Sequence, residues 1–181
     1  MEESYVESSV RTRLILAGIN EIRDRGIKDF SLRRAAIGAE VSCAAPYRHF
    51  KNKEEFIEEI VKYIAAKWDL LGREIFRVYE NCTRQLLIEL AVAELRFWVA
   101  NPNFRSVLML IDAKFVSDSF ESLFLDALNK YCEERECIDQ YQDKVYFVRA
   151  MIYGTLTLIG VGKESTEFYI SFFKRQLEEE F

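Results

Sequence analysis

Residues Phe30–Lys53 read FSLRRAAIGAEVSCAAPYRHFKNK, and this stretch decides the fold. It holds two short helical patterns across a break of two or three residues. Ser31 is placed to cap the first, because a serine hydroxyl accepts from amides left orphaned in a helix's first turn. Leu32, Ala35, Ala36 and Ala39 then fall at i, i+3, i+4 and i+7. That spacing gives a buried stripe, and its small residues let a second helix cross closely. Glu40-Val41-Ser42 breaks the pattern, with Ser42 a second candidate cap. Cys43–Phe50 is then expected to be a helix of barely two turns, too short to stand without its neighbours. Two helices joined by a tight turn, the second presenting small residues and then Tyr47, Arg48 and His49, describe a helix-turn-helix.

Charge gathers on the same stretch. Residues 30–53 carry five Lys and Arg against one Glu. Residues 1–53 carry ten against seven, which leaves net −8 on the remainder of a chain whose total is −5. A basic patch on an otherwise acidic protein suits local contact with phosphates and discourages nucleic acid from wrapping elsewhere.

Several function classes fall away on composition. The chain has 181 residues, half of them hydrophobic, and two prolines, which suits one or two small, compact, all-helical domains. The longest uncharged apolar run, Ala150–Gly162, is shorter than the ~18 residues of a membrane span and reads as a buried helix. The acidic start, MEESYVESSVRTR, has no apolar leader core, so no secretory signal is expected. Cys43, Cys82, Cys132 and Cys137 lack disulfide-framework or zinc spacing, and His49 is the single histidine. No metal or other cofactor is expected, and the cytoplasm is the expected compartment. With no glycine-rich phosphate loop and no Ser/His/Asp set, an enzyme is disfavoured.

Along the chain, Val6–Arg25 is expected to be the first helix, with Val10, Leu14, Ile15, Ile19 and Ile22 on its inner side and Gly26 as its stop. A helix from Lys53 to about Tyr79 would be about 37 Å long, a stiff lever. Further helices are expected at Thr83–Ala100 (stopped by Asn101-Pro102), Phe104 to about Phe115, Phe120–Arg135 and Gln140–Gly160. A last one, capped by Ser165, runs to the end. The expectation is an all-α chain of about nine helices, with a three-helix head at 1–53 and a helical body at 54–181.

The head resembles the TetR family of bacterial transcriptional regulators. The residues that carry the resemblance are Ser31-Leu32-Arg33, Ala36, Val41-Ser42, Tyr47-Arg48-His49-Phe50, Lys51-Asn52-Lys53 and Phe56, matched without a gap. Two positions depart from the family pattern. Glu40 stands where the family usually has glycine, so the turn has to hold a non-glycine residue, with positive φ at some cost. Pro46 falls at the edge of the short helix, where at most one backbone bond is lost.

In the major groove, Cys43, Ala44 and Ala45 can touch thymine methyls but cannot form bidentate contacts, which leaves polar readout to Arg33 and Arg48. The resemblance implies a base-reading role for Arg33 and phosphate contacts for Tyr47 and Lys53. Ser31, His49 and Lys51 are further candidates, and Ser42 is counted with this surface. The amide end of the helix beginning at Lys53 adds a phosphate site.

The resemblance also implies a homodimer and an enclosed inducer site. Its dimer helices would be the last two, through Val148, Met151, Ile152, Thr155 and Ile159 on one and Phe168 and Phe172 on the other. Gly154 would permit close approach. Trp68, Phe97, Trp98, Phe124 and Tyr146 are the candidate ligand contacts, favouring a small apolar or aromatic inducer. Glu94, Arg96, Arg149 and Asp112 are either polar anchors, paired with one another, or exposed. The function expected is a transcriptional regulator, a repressor by family default, that binds a palindromic double-stranded DNA operator as a homodimer. The alternatives are a ligand-independent DNA-binding scaffold and a redox-responsive regulator working through Cys43.

Overall fold

In the computed structural model the residues described are 9–110 and 122–181, with backbone alone for 108–110. Among them are nine α-helices and no strand. In chain order they are α1 (Val10–Arg25), α2 (Leu32–Gly38), α3 (Pro46–His49), α4 (Lys53–Tyr79), α5 (Thr83–Ala100), α6 (Pro102–Leu110), α7 (Ser122–Glu134), α8 (Tyr141–Val161) and α9 (Thr166–Glu180). A 3-10 turn at Ile138–Gln140 precedes α8. Expectations that fall on 111–121 (Asp112, Phe115 and the helix start at Phe120) lie outside the described residues.

Local chemistry sets most of the ends. The Ser9 hydroxyl accepts from the Thr12 amide at 3.2 Å and caps α1 at Val10; the expected start at Val6 lies outside the described residues. Gly26, with φ 77°, closes it. Ser31 caps α2 by accepting from the Arg34 amide, and Ser165 caps α9 by accepting from Phe168. Pro102 opens α6 directly after Asn101, at the helix start where its missing N–H costs nothing.

Two helices end on a glutamate in the left-handed region, Glu40 at φ 56° and Glu136 at φ 55°. After α2, the Val41 N–H bonds the Ala36 carbonyl and the Glu40 N–H bonds that of Ile37, both at 3.0 Å. After α7, the Cys137 N–H bonds the Cys132 carbonyl at 2.9 Å and the Glu136 N–H bonds that of Glu133 at 3.4 Å. Both are Schellman motifs, built here without glycine.

By its contacts the chain forms two compact units, the first comprising the described residues up to Ala66 together with α6, the second Lys67–Asn101 and α7 onward. The first packs α1 against α2, α3 and α6. Its centre is aromatic: the Phe56 ring lies 5.4 Å from Phe30 and 4.4 Å from Phe50, all three buried. Each such ring stabilises by about 1.5–3 kcal/mol. Gly18 lies beneath Phe56, where an added Cβ would collide with that ring and come 2.9 Å from Ile60 Cδ1. The packing of the head therefore continues past Lys53 into α4.

In the second unit α5 packs against α7, α8 and α9. Glu94 on α5 is buried and receives Arg149 Nη1 at 2.7 Å and Trp98 Nε1 at 3.3 Å. Lys144, also buried, donates to Glu180 at 2.6 Å. Arg96 makes a two-pronged pair with Glu167 at 2.9 Å on the surface. Of the candidate polar anchors, then, Glu94 and Arg149 are paired with each other and Arg96 with a different helix. The link from α8 to α9 passes through Gly162, where a Cβ would sit 2.5 Å from the Leu158 carbonyl oxygen and against the Tyr169 hydroxyl.

Ile138–Val161 is long and apolar enough to cross a membrane, with mean hydropathy 1.2. The uncharged run was too short a measure, because the helix also spans Lys144 and Arg149, whose charges are met inside the unit.

Candidate nucleic-acid interface

The helix pair of the head is held from beneath. Ala35, Ala36 and Ala39 of α2 are buried, as the small-residue stripe requires, and α2 packs on α1 and α3. The turn after α2 is the glutamate Schellman motif, with the Glu40 backbone strained by about 1–2 kcal/mol relative to glycine. Its C3 and C″ positions, Ala36 and Val41, are both apolar, as the motif usually has them.

The recognition helix is shorter than its sequence suggested. It starts at Pro46, not Cys43, and Ser42 is not its cap. Cys43 and Ala44 instead form a turn closed by the Ala45 N–H to the Ser42 carbonyl at 2.9 Å. Pro46 supplies the reason: its fixed φ favours the first helical position, and a helix begun earlier would bring its ring against the carbonyl a turn before.

On the outer side, Arg33, Ser42, Cys43, Ala44, Tyr47, Arg48, His49 and Lys51 are all exposed, and Ser31 is half-buried. Tyr47 is 63% exposed, so its ring is not part of the head's core. Ala45 departs from the expected set: it is buried, its methyl part of the packing rather than of the outer face. The sequence reading passed over Ile37, which is 62% exposed one turn beyond Arg33 on α2. It lies off the Leu32, Ala35, Ala36 and Ala39 stripe that packs inward. Arg34 is a tie rather than a reader, since it bonds the Glu21 carboxylate and the Asp29 carbonyl.

Lys53 has an unexpected set of partners. Its ammonium donates to the Ile27 carbonyl at 2.8 Å and the Lys28 carbonyl at 3.4 Å, and lies 5.7 Å from the centre of the Phe30 ring. It pins the loop between α1 and α2. The start of α4 is also occupied: Asn52 accepts from the Glu55 amide at 2.8 Å and Glu55 accepts from the Lys51 amide at 2.6 Å. This is a capping arrangement, and with Glu54 it gives the first turn of α4 two carboxylates. An incoming phosphate would meet them.

The other candidate residues divide clearly. Trp68, Phe97, Trp98 and Phe124 are buried, with Trp68 and Phe97 rings 5.8 Å apart and Phe97 and Trp98 rings 4.9 Å apart. Tyr146 is not with them; it is 64% exposed on α8. Val148, Ile152 and Thr155 are buried within the chain's own unit, so they are not available to a second copy. Met151, Ile159 and Phe172 are half-buried, and Phe168 is 52% exposed. The face of α8 that remains open carries Tyr146, Ala150, Tyr153, Gly154, Leu158 and Val161. An added Cβ at Gly154 meets nothing within 4 Å. Because α8 is apolar on every side, its sequence could not tell which face turns inward.

Residues 14–60 match the family model described as bacterial regulatory proteins, tetR family. The fold is similar to that of a TetR family transcription regulator from Marinobacter aquaeolei VT8, with TM-score 0.73 at 17% identity, covering 96% of this chain and 95% of that one. It is also similar to a transcriptional regulator (TerR/AcrR family) from Aquifex aeolicus VF5, with TM-score 0.68 at 18% identity, covering 96% and 100%. No curated protein sequence matches. Residues 14–60 thus match the tetR family of bacterial regulatory proteins, and the fold of the described chain is similar to that of these solved regulators.

Proposed function

We propose that this chain is a cytoplasmic transcriptional repressor that binds a palindromic DNA operator as a homodimer and is released by a small apolar or aromatic inducer. The observation that carries the reading is the outer face of the helix pair. Small residues at its turn, Cys43 and Ala44, are flanked by Arg33, Tyr47, Arg48, His49 and Lys51, all exposed. Small side chains allow close approach to base edges, and the cations and hydroxyl around them position phosphates. Arg33 reads a base edge; Tyr47, Arg48 and Lys51 hold the backbone. Lys53 serves the head from inside.

The dimer reading rests on α8. A lone head covers one short half-site, whereas two related by a two-fold axis read half-sites about 34–36 Å apart. The stripe from Tyr146 to Val161 is exposed and largely apolar, as is Phe168 on α9, and a two-fold interface pairs one such patch with its own copy. The inducer reading is supported by the buried aromatic group Trp68, Phe97 and Trp98 and, among the described residues, by the carboxylate partners that Lys144 and Arg149 have. On this reading the inducer acts by preferring a dimer whose heads are mis-spaced, since only differential affinity shifts such an equilibrium.

Selection of bound sequences from a random duplex library, repeated across salt concentrations, tests the core of this. A palindrome with log-affinity falling steeply in log-salt is the expected result. Recovery of no motif, with binding no stronger than that of a charge-matched helical protein, overturns it.

A further inference from the structure

We propose that Cys132 and Cys137 form a thiol pair that disulfide oxidants convert into an internal disulfide, a modification site at the end of α7. The Schellman turn makes the pair. That motif sets its C3 and C″ side chains in contact across the left-handed residue, and here those positions are Cys132 and Cys137. Their own backbones are joined by the 2.9 Å bond from the Cys137 N–H to the Cys132 carbonyl. A hydrogen bond between two residues holds their Cα atoms near the about 4.4–6.8 Å that a disulfide bridges. Burial first, and then the neighbouring Cys137 thiol, push Cys132 up to about 11. Both cysteines are free.

Exposure orders the chemistry. Cys132 is fully buried and Cys137 half-buried, so a small disulfide such as oxidised glutathione meets Cys137 first. The Cys137 thiolate attacks one sulfur of the oxidant, forms a mixed disulfide and releases one glutathione thiol. Cys132, losing its proton, then attacks the Cys137 sulfur and expels the second glutathione as thiolate. The oxidant's disulfide is reduced to two thiols, and the protein pair is oxidised by the same two electrons. The product ties the last turn of α7 to the segment that leads into α8.

Cys43 and Cys82 are exposed and lie in other turns, which makes them internal controls. The full chain, first reduced, is incubated with oxidised glutathione, its remaining thiols are blocked, and its tryptic peptides are mapped by mass. Cleavage after Arg135 separates the two cysteines, so the expected product is a cross-linked peptide pair lighter by two hydrogens, while Cys43 and Cys82 carry glutathione or the block. In Cys132→Ser the intermediate has nowhere to go, and Cys137 keeps a glutathione adduct that the wild-type chain sheds. The proposal is overturned if wild-type Cys137 retains that adduct beside a free Cys132. It is equally overturned if both stay free after Cys43 has reacted. Should Cys132→Ser not fold, Cys137→Ser supplies the second reading: Cys132 then stays reduced throughout.

Discussion

The outer face of the helix pair and the open face of α8 each hold two small residues, Cys43 and Ala44 on one and Ala150 and Gly154 on the other, yet they differ in what stands around them. Around Cys43 and Ala44 there are Arg33, Arg48, His49 and Lys51. Along Ala150, Gly154 and Leu158 the neighbours are Tyr146, Tyr153 and Val161, and the helix's two cations, Lys144 and Arg149, point inward to carboxylates. Small residues permit a close partner in either case; the edge decides which one. A cationic edge suits a polyanion, and an apolar edge suits a second copy of itself.

The contrast breaks hardest at α8. Leu158→Glu places a charge on the apolar seam and should weaken self-association by about 2–5 kcal/mol, read by sedimentation equilibrium. The melting temperature of the dissociated chain should barely change, because Leu158 is already 46% exposed. If the variant remains as dimeric as wild type, the seam lies elsewhere. On the head, Arg33→Ala should cost about 1–3 kcal/mol of DNA affinity and relax preference at one base position without altering oligomeric state. Uniform weakening on all sequences would recast Arg33 as a phosphate contact.

Smaller effects sharpen the head side. Glu40→Gly removes left-handed strain from the turn and should raise stability by about 1–2 kcal/mol in a denaturant titration; a loss would mean that the Glu40 side chain is held by something in solution. Lys53→Met tests inside against outside. As a clamp on the Ile27 and Lys28 carbonyls, Lys53 should cost about 1 kcal/mol of stability when replaced and leave the salt slope of DNA binding alone. A phosphate contact would instead lower that slope by about one unit, with no thermal change. Least of all, uracil in place of thymine opposite Cys43 and Ala44 should weaken binding by less than about 1 kcal/mol, the worth of a buried methyl. No response at any thymine would turn those two residues away from the bases.

How far the sequence could be read follows from these same residues. Helix ends were legible wherever one side chain decides them: Ser31, Ser165, Gly26 and the Asn101-Pro102 stop all act within a turn of themselves. The head was legible because its motif ties backbone geometry to residue type, down to positive φ at Glu40. What was lost depended on partners far along the chain. Matching Lys53 to a motif fixed its position but not the carbonyls 25 and 26 residues earlier that occupy its ammonium. On α8 a residue pattern apolar all round has no phase, so Val148, Ile152 and Thr155 were assigned outward although they pack inward. The backbone bond that joins Cys137 to Cys132 depends on a left-handed glutamate that its local sequence does not announce.

Gly162 is solvent-exposed, yet any side chain there would run into the Leu158 carbonyl and the ring of Tyr169 that seats the start of α9. In a saturation library sorted for folded protein, this surface position should therefore be emptied of substitutions as thoroughly as the interior. Exposed Gly160, two residues earlier and open on every side, should accept many.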